Sequence, residues 1–398
     1  MLPLFYGVIW EFEGCGVIGL SLYRRILCVM KWLRWLLLLF ATACLLIACN
    51  TGRPSDDSSD RTALESPTAP PAVSQDEAQT NSSITQLLAD LPPAQPDGSS
   101  FPITVENCDR TLTFEQPPQR VIGLWQPSNE LLLSLGVEER IIGLAGNYTD
   151  LPPTLKSAAE DIPVLGSELR WPSREVMLVQ EADLVVSEGL DGLAFDPAEG
   201  YATVADLEAA GTPVISTGSS CNPTESANRG VTAVYEDLQL LAEVFGMSDR
   251  GAALVERLQQ REQAVTEKVE ALPPVRTIFY NGGEGPLSVL TAGVWGDLIQ
   301  KAGGESVFDD STFQVGREAF ASSDAEVILM GVYPGQDPDG LASFLQETFP
   351  TLPAVQNERL YPIETIETEA SIRIIDGLET MARAIHPDAF PDAFPDAF

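Results

Sequence analysis

The residue types that usually carry catalysis or bind bare metal are scarce in this chain. It has one histidine, His386, near the C-terminus. Serines abound, Ser219-Ser220 among them, but no histidine stands ready to activate them and no Gly-x-Ser-x-Gly elbow occurs. A zinc or manganese clamp built from several histidines and a carboxylate is ruled out on the same count. Asp56-Asp57 and Asp309-Asp310 lack the spacing of a calcium loop. A glycosidase needs only two carboxylates, so that enzyme class survives counting alone. The remaining chemistry is that of aromatic faces. Trp125, Tyr148 and Trp171 lie at the ends of short apolar runs in one half, and Tyr280, Trp295, Phe313 and Tyr333 do so in the other. With Glu188 and Arg373 as charged partners, they suit a flat, partly apolar ligand. The expectation is a binding protein rather than an enzyme, with no resident cofactor or metal.

Such residues converge only if the elements bring their loops to one side. Thr104–Glu106 and Thr111–Phe114 flank Asn107-Cys108-Asp109-Arg110 and predict an opening hairpin. Strands follow at Arg120–Trp125, Arg140–Ala145, Ile162–Leu165, Asp183–Ser187 and Pro213–Thr217, with helices at Ser128–Leu135, Ser173–Glu181 and Tyr201–Ala210. This alternation means βαβ units and a mostly parallel sheet. Asn228–Phe245 and Asp249–Leu272 read as long helices broken near Gly246-Met247-Ser248. After Pro273-Pro274 the alternation resumes, with strands at Thr277–Tyr280, Leu287–Thr291, Val327–Gly331 and Leu360–Ile363. Helices cover Trp295–Ala302, Leu341–Thr348 and Ser371–His386.

An internal echo relates the two halves. Arg174-Glu175 opens a helix ahead of Asp183-Leu-Val-Val, and Arg317-Glu318 opens one ahead of Glu326-Val-Ile-Leu, each 143 residues further on. The expected fold class is α/β: two doubly wound lobes joined by a single long helix, with the ligand cleft between them. Ligands of open α/β sheets sit outside the carboxyl ends of the strands. The aromatic loops named above belong there.

The termini set the compartment. Met30-Lys31-Trp32-Leu33-Arg34 and the apolar run Trp35–Ile47 end in Leu46-Ile47-Ala48-Cys49, the pattern of a bacterial lipoprotein signal whose cysteine is lipidated. Residues 1–49 are therefore read as a signal segment, with Met30 a second plausible start within it. Residues 50–100, rich in Ser, Thr, Pro and Asp, read as a disordered tether. The lobes are assigned to 101–248 and 273–390, the joining helix to 249–272, and the repeat of Pro-Asp-Ala-Phe at 391–398 to a frayed tail. Outside the signal, Cys108 and Cys221 remain, in an oxidising compartment and without C-x-x-C spacing. A structural disulfide is favoured over two free thiols. Acidic residues outnumber basic ones 58 to 23 over 398 residues, a formal charge of −35 that excludes a nucleic-acid partner.

From about residue 103 to 390 the chain resembles the bacterial substrate-binding proteins that deliver ferric siderophores, haem or cobalamin to ABC importers. The resemblance rests on PPQRVIGLWQPSNELLLSLGVEERIIGLAG, PSREVMLVQEADLVV, GDLIQKAGGESVF, GREAFASSDAEVILM and ERLYPIE…RIIDGLETMARAIHPDAF. It implies capture of a ferric siderophore or similar metal chelate and its delivery to a dimeric permease with its ATPase. It also implies a monomer, lipid-anchored outside the cytoplasm. Haem or cobalamin, or a non-transport interaction lipoprotein, are the alternatives. Glu188 departs from the pattern, since cobalamin binders place an aromatic residue there. By the same resemblance Glu175 and Glu318 match the glutamates, one per lobe, that meet arginine clusters on the permease.

Overall fold

The computed structural model describes residues 84–98, 101–167, 170–191, 193–218, 221 and 229–391. The expected signal segment with Met30 and Cys49, most of the tether, Ser219-Ser220 and the end of the tail repeat lie outside the described residues.

Strands β1 (Ile103–Asn107) and β2 (Arg110–Phe114) form the opening antiparallel hairpin. Then come β3 (Val121–Leu124), α1 (Gln126–Ser134), β4 (Ile141–Ala145), α2 (Pro153–Ala158), α3 (Arg174–Val179), β5 (Leu184–Glu188), α4 (Val204–Ala209) and β6 (Val214–Thr217). The four strands from β3 to β6 make a parallel sheet in the order β4-β3-β5-β6. Ile162–Leu165, expected as a strand, is reduced to a single bridge between Leu144 and Val164.

Helix α5 (Thr232–Phe245) stops at Gly246, whose φ of 66° only glycine adopts at little cost, and α6 (Ser248–Val269) starts at once. With 22 residues, α6 spans about 33 Å. The second lobe holds β7 (Val275–Tyr280), β8 (Leu287–Ser288), α7 (Gly293–Lys301), β9 (Gly304–Ser306), β10 (Gln314–Val315), α8 (Arg317–Ala321), β11 (Val327–Val332), α9 (Pro338–Thr348), α10 (Pro353–Gln356), β12 (Leu360–Glu364) and α11 (Ile374–Ile385). Its parallel sheet runs β12-β11-β7-β9, while β8 and β10 form a small antiparallel pair.

The two sheets share one connectivity. Taken in chain order within each lobe, both read second, first, third, fourth. Helices α3 and α8 each precede the third strand. Asp183 N–H donates to the Arg120 carbonyl at 2.9 Å in the first lobe, and Glu326 N–H donates to the Arg276 carbonyl at 2.8 Å in the second. The echo in the sequence is an echo in the fold.

Period-two alternation divides the core into layers. Val121, Leu184 and Val186 of the first sheet, and Phe279, Val327 and Leu329 of the second, join one large core with α5, α6 and α11. Ile122, Leu124 and Val185 face an outer core under α3 and α4, and Ile278, Tyr280, Ile328 and Met330 face another under α8, α9 and α10. The lobes are therefore joined by a continuous apolar interior.

Two details change the expected boundaries. The tether does not extend to residue 100 as a free chain: residues 84–88 form a helical turn, with Ile84 and Leu87 buried in the main core. From α6, Arg250 donates to the Pro92 carbonyl at 2.7 Å and Arg257 to the Leu87 carbonyl at 2.8 Å. The polar composition of the stretch hid the short apolar pattern Ile84-x-x-Leu87. The hairpin β1–β2 also docks on the first sheet. Asn107 exchanges two hydrogen bonds of 2.9 Å with the backbone of Ser216, covering the open edge of β6. The disulfide Cys108–Cys221 forms beside it and ties the hairpin tip to the loop after β6. His386 caps α11 and donates from Nε2 to the Gly303 carbonyl at 3.0 Å.

Candidate functional site

The site is built at the carboxyl ends of β3 and β4. Trp125 closes β3 and is the N-cap of α1, with φ 86° and ψ 136°. A bulky residue in that region carries strain of order 1–3 kcal/mol that its surroundings must hold in place. Its N–H donates to the Ala145 carbonyl at 2.9 Å, and the Asn129 N–H donates to its carbonyl at 3.0 Å. Gly146, at φ 76°, lets the two strand ends approach: a Cβ there would lie 3.0 Å from Trp125 Cα. The next loop is held by polar side chains of α1 that are fully buried. Gln126 Oε1 accepts from the N–H groups of Tyr148 and Thr149, both at 2.9 Å. Asn129 Nδ2 donates to the Ala145 carbonyl and to Asn147 Oδ1.

This scaffold presents a row of rings. Tyr148 stacks on Trp125 with centroids 4.9 Å apart, Trp125 stacks on Trp171 at 5.9 Å, and Trp171 meets Tyr201 edge-on at 6.0 Å. All four rings keep part of their surface. The structure thus brings Trp125, Tyr148 and Trp171 together as one face and adds Tyr201. Sequence reading absorbed Tyr201 into a helix start, whereas it lies in the loop before α4. A groove of about 610 Å³ adjoins this face, lined by Leu144, Ala145, Gly146, Asn147, Val164, Ser167 and Arg170. Glu188 ends β5 on the same rim and folds over Gly218.

The second half of the expected set disperses. Tyr280 is a correction: it is 1% exposed and sits among Phe320 and Phe344, its hydroxyl donating to the Gly283 carbonyl at 2.8 Å. Alternation along β7 sends Ile278 and Tyr280 outward and Phe279 inward. Arg373 is a second correction. It is 4% exposed and clamps the fully buried Glu130 of α1, with Nε 3.0 Å and 3.2 Å from the two carboxylate oxygens, and it donates to the Asp150 carbonyl. Burial alone would favour losing its proton, but Glu130 outweighs that and holds the guanidinium above its ordinary range. The arm expected to reach a ligand is committed to joining the lobes. Trp295 donates from Nε1 to Thr368 Oγ1 at 3.2 Å, while Phe313 and Tyr333 are exposed, the latter accepting from Asn281 Nδ2 at 3.1 Å.

Sequence reading missed Glu369, in the short segment between β12 and α11. Burial first, and then the charge of Glu130, push its carboxyl up to about 7, while Tyr148, Trp125 and Arg373 draw it down. The Tyr148 phenol is raised by burial and by Glu369, so it stays protonated. Nothing in the local sequence marks Glu369, because both rings arrive from the other lobe.

Glu175 and Glu318 are exposed in the first turns of α3 and α8. Glu175 bonds its own backbone N–H and accepts from the Ser173 hydroxyl at 3.1 Å, which hold its carboxyl below the ordinary range. Among the described residues no cluster of three or more His, Cys, Asp or Glu could hold a metal ion, and no helix is long and apolar enough to cross a membrane.

A sequence profile for the family described as periplasmic binding protein matches residues 205–365. An uncharacterised ABC transporter substrate-binding lipoprotein of Bacillus subtilis, YvrC, is 19% identical over 304 residues, covering 73% of this chain and 87% of that protein. A cobalamin-binding protein of Halobacterium salinarum is 24% identical over 320 residues, covering 75% and 79%. The crystal structure of an ABC-type Fe3+-hydroxamate transport system protein from Saccharomonospora viridis superposes with a TM-score of 0.58 at 27% identity, over 72% of this chain and 99% of that one. These findings bear out the resemblance carried by the sequence motifs and the two-lobed α/β fold class.

Proposed function

We propose that this chain is the extracytoplasmic ligand-binding component of an ABC importer, that it captures a ferric siderophore or a similar metal chelate, and that it is held to the membrane through Cys49. The observation that carries this reading is the ring face Tyr148–Trp125–Trp171, set at the carboxyl ends of β3 and β4 by a strained tryptophan and a buried polar helix. A flat chelate gains dispersion and apolar burial on such a face. Trp295, Phe313 and Tyr333 are proposed to meet the ligand from the second lobe, with Glu188 at the rim. The Fe3+-hydroxamate neighbour supports an iron chelate, and the archaeal relative keeps a corrinoid as the second ligand class.

Titration of intrinsic fluorescence with ferric hydroxamate and catecholate chelates, haemin and cyanocobalamin tests the assignment. Quenching should saturate for at least one ligand and vanish in Trp125→Ala/Trp171→Ala while the melting curve stays cooperative. Unchanged affinity in that folded double variant would remove the ring face from the site. The absence of saturable binding by any of these ligands would reject the importer reading.

A further inference from the structure

Helix α1 carries Trp125 at its N-cap and, one turn apart on one face, Gln126 and Glu130. Both of these side chains are fully buried, and they are bonded to each other: Gln126 Nε2 donates to Glu130 Oε1 at 2.9 Å. Glu130 is a carboxylate with Arg373 of the second lobe on both its oxygens, so it can only accept. That decides which end of the Gln126 amide faces it. The nitrogen points to Glu130, and the oxygen is left for the N–H groups of Tyr148 and Thr149. Arg373 also reaches the same loop directly, donating to the Asp150 carbonyl at 3.2 Å. It is itself fixed at the start of α11, where its N–H donates to the Ser371 hydroxyl at 3.1 Å and where Ser371 and Ile372 are fully buried. Tyr148, Thr149 and Asp150 thus hang on one chain of buried polar groups whose far end lies in the other lobe.

We propose that Gln126, Glu130 and Arg373 are positioning residues for ligand binding: they form a relay through which the second lobe sets the Tyr148 loop, and with it the stack of Tyr148 on Trp125, before a ligand arrives. The role in binding rests on the binding-protein reading above, whereas the order of the loop can be read without any ligand. The three residues are at most 4% exposed, so they act through the loop and not by contact. A face preset in this way spares a ligand the cost of ordering it. The competing role for the same ion pair is only to hold the lobes together. The two roles part when both charges are removed at once, because the lobes keep their shared apolar core while the loop loses its acceptor geometry.

Glu130→Leu with Arg373→Met strands neither charge, and replacing a buried ion pair by apolar side chains is often neutral for stability. Amide hydrogen exchange of the full chain reads the relay directly. In the double variant, exchange should quicken about tenfold or more at Tyr148 and Thr149, while the amides of β3 and β4 stay as slow as in wild type. Titration with ferrioxamine B, haemin and cyanocobalamin gives the second readout: the probe that wild type binds most tightly should bind about tenfold more weakly. Gln126→Met should reproduce both effects and add little when combined with the double variant, since the relay acts as one unit. Should the double variant fail to fold, Arg373→Lys carries the test. It keeps the charge but lacks the fork that spans Glu130 and the Asp150 carbonyl, so exchange should quicken at the same residues and affinity should fall. Wild-type exchange at Tyr148 and Thr149 in the folded variant, a rise spread evenly over all amides, or quickened exchange with unchanged affinity overturns the proposal and leaves the binding-protein reading in place. If no probe binds wild type, the binding-protein reading falls and the role in binding with it, while exchange still decides whether the second lobe sets the loop.

Discussion

Trp125 shows how a single residue couples strain to recognition. Its positive φ is held by the Ala145 carbonyl on one side and by the absence of a side chain at Gly146 on the other. Gly146→Ala would force a left-handed alanine and a contact at 3.0 Å with Trp125. It should cost about 1–3 kcal/mol of unfolding free energy in denaturant titrations and weaken chelate binding, because the ring face would shift. Wild-type affinity in a destabilised Gly146→Ala would separate the two roles and refute the coupling. Asp237 of α5 makes a second residue-scale case. It is 3% exposed and accepts from the Gly218 N–H at 2.7 Å. Burial, the largest influence, raises its carboxyl from the ordinary 3.8 to about 7. A raised acid stabilises the fold in its protonated form, fully so below about pH 4, and that contribution is lost as pH climbs through about 7. Asp237→Asn removes the dependence, so its melting temperature relative to wild type should rise between pH 5 and pH 8, by the equivalent of about 1–4 kcal/mol. A difference that stays flat with pH would show that Asp237 does not titrate there. At this scale the sequence was only partly legible. Trp125, Tyr148 and Trp171 stood out because strand ends are readable from apolar runs. Tyr280 did not, since its direction depends on the parity of β7, and Arg373 did not, because its partner Glu130 lies 243 positions away.

Among the elements, the docked segment 84–98 and the paired helices α3 and α8 have testable consequences. Deleting residues 84–98 would uncover the surface under Ile84 and Leu87, strip Arg257 of its carbonyl acceptors and leave Arg250 only the Ser134 carbonyl. The shortened protein should lose about 2–4 kcal/mol by chemical denaturation, chiefly through two buried aliphatic side chains. An unchanged midpoint would mean that the segment merely rests on α6. Helices α3 and α8 occupy equivalent positions in the two sheets, each with an exposed glutamate in its first turn, where the helix dipole favours a carboxylate. Under the proposed function they are the permease contacts. Glu175→Arg with Glu318→Arg should abolish uptake in cells while leaving the chelate affinity of the purified protein within about twofold, since neither side chain belongs to the ring face. Normal uptake by the exported double variant would dismiss the docking role, and a parallel loss of affinity would relocate these residues to the cleft. Strand and helix types were readable because apolar spacing changes with period. The elements that escaped, among them α2, β9, β10 and the α10 turn, are too short to hold a clear pattern of their own.

At the scale of the whole molecule, the lobes are not independent. Both sheets and the helices α5, α6 and α11 share one core, and the buried Glu130–Arg373 pair crosses between the lobes. Calorimetry should therefore show one transition, with van't Hoff and calorimetric enthalpies in agreement; two resolved transitions would mean that the shared interior does not couple the lobes. Removing one partner, as in Arg373→Met, would strand a buried carboxylate and is the kind of change that costs about 3–5 kcal/mol. The amino-acid sequence by itself determined the alternation of strands and helices, the doubled α/β plan and the lack of histidine chemistry. Each of these depends on local spacing or on counting, which the chain displays directly. Only the tertiary structure decided that Tyr201 joins the ring face and Tyr280 leaves it, that Arg373 is consumed by Glu130, and that Glu369 faces Tyr148. Those outcomes depend on which residues distant along the chain meet in space, and on how burial changes their charge, and no stretch of sequence encodes either alone.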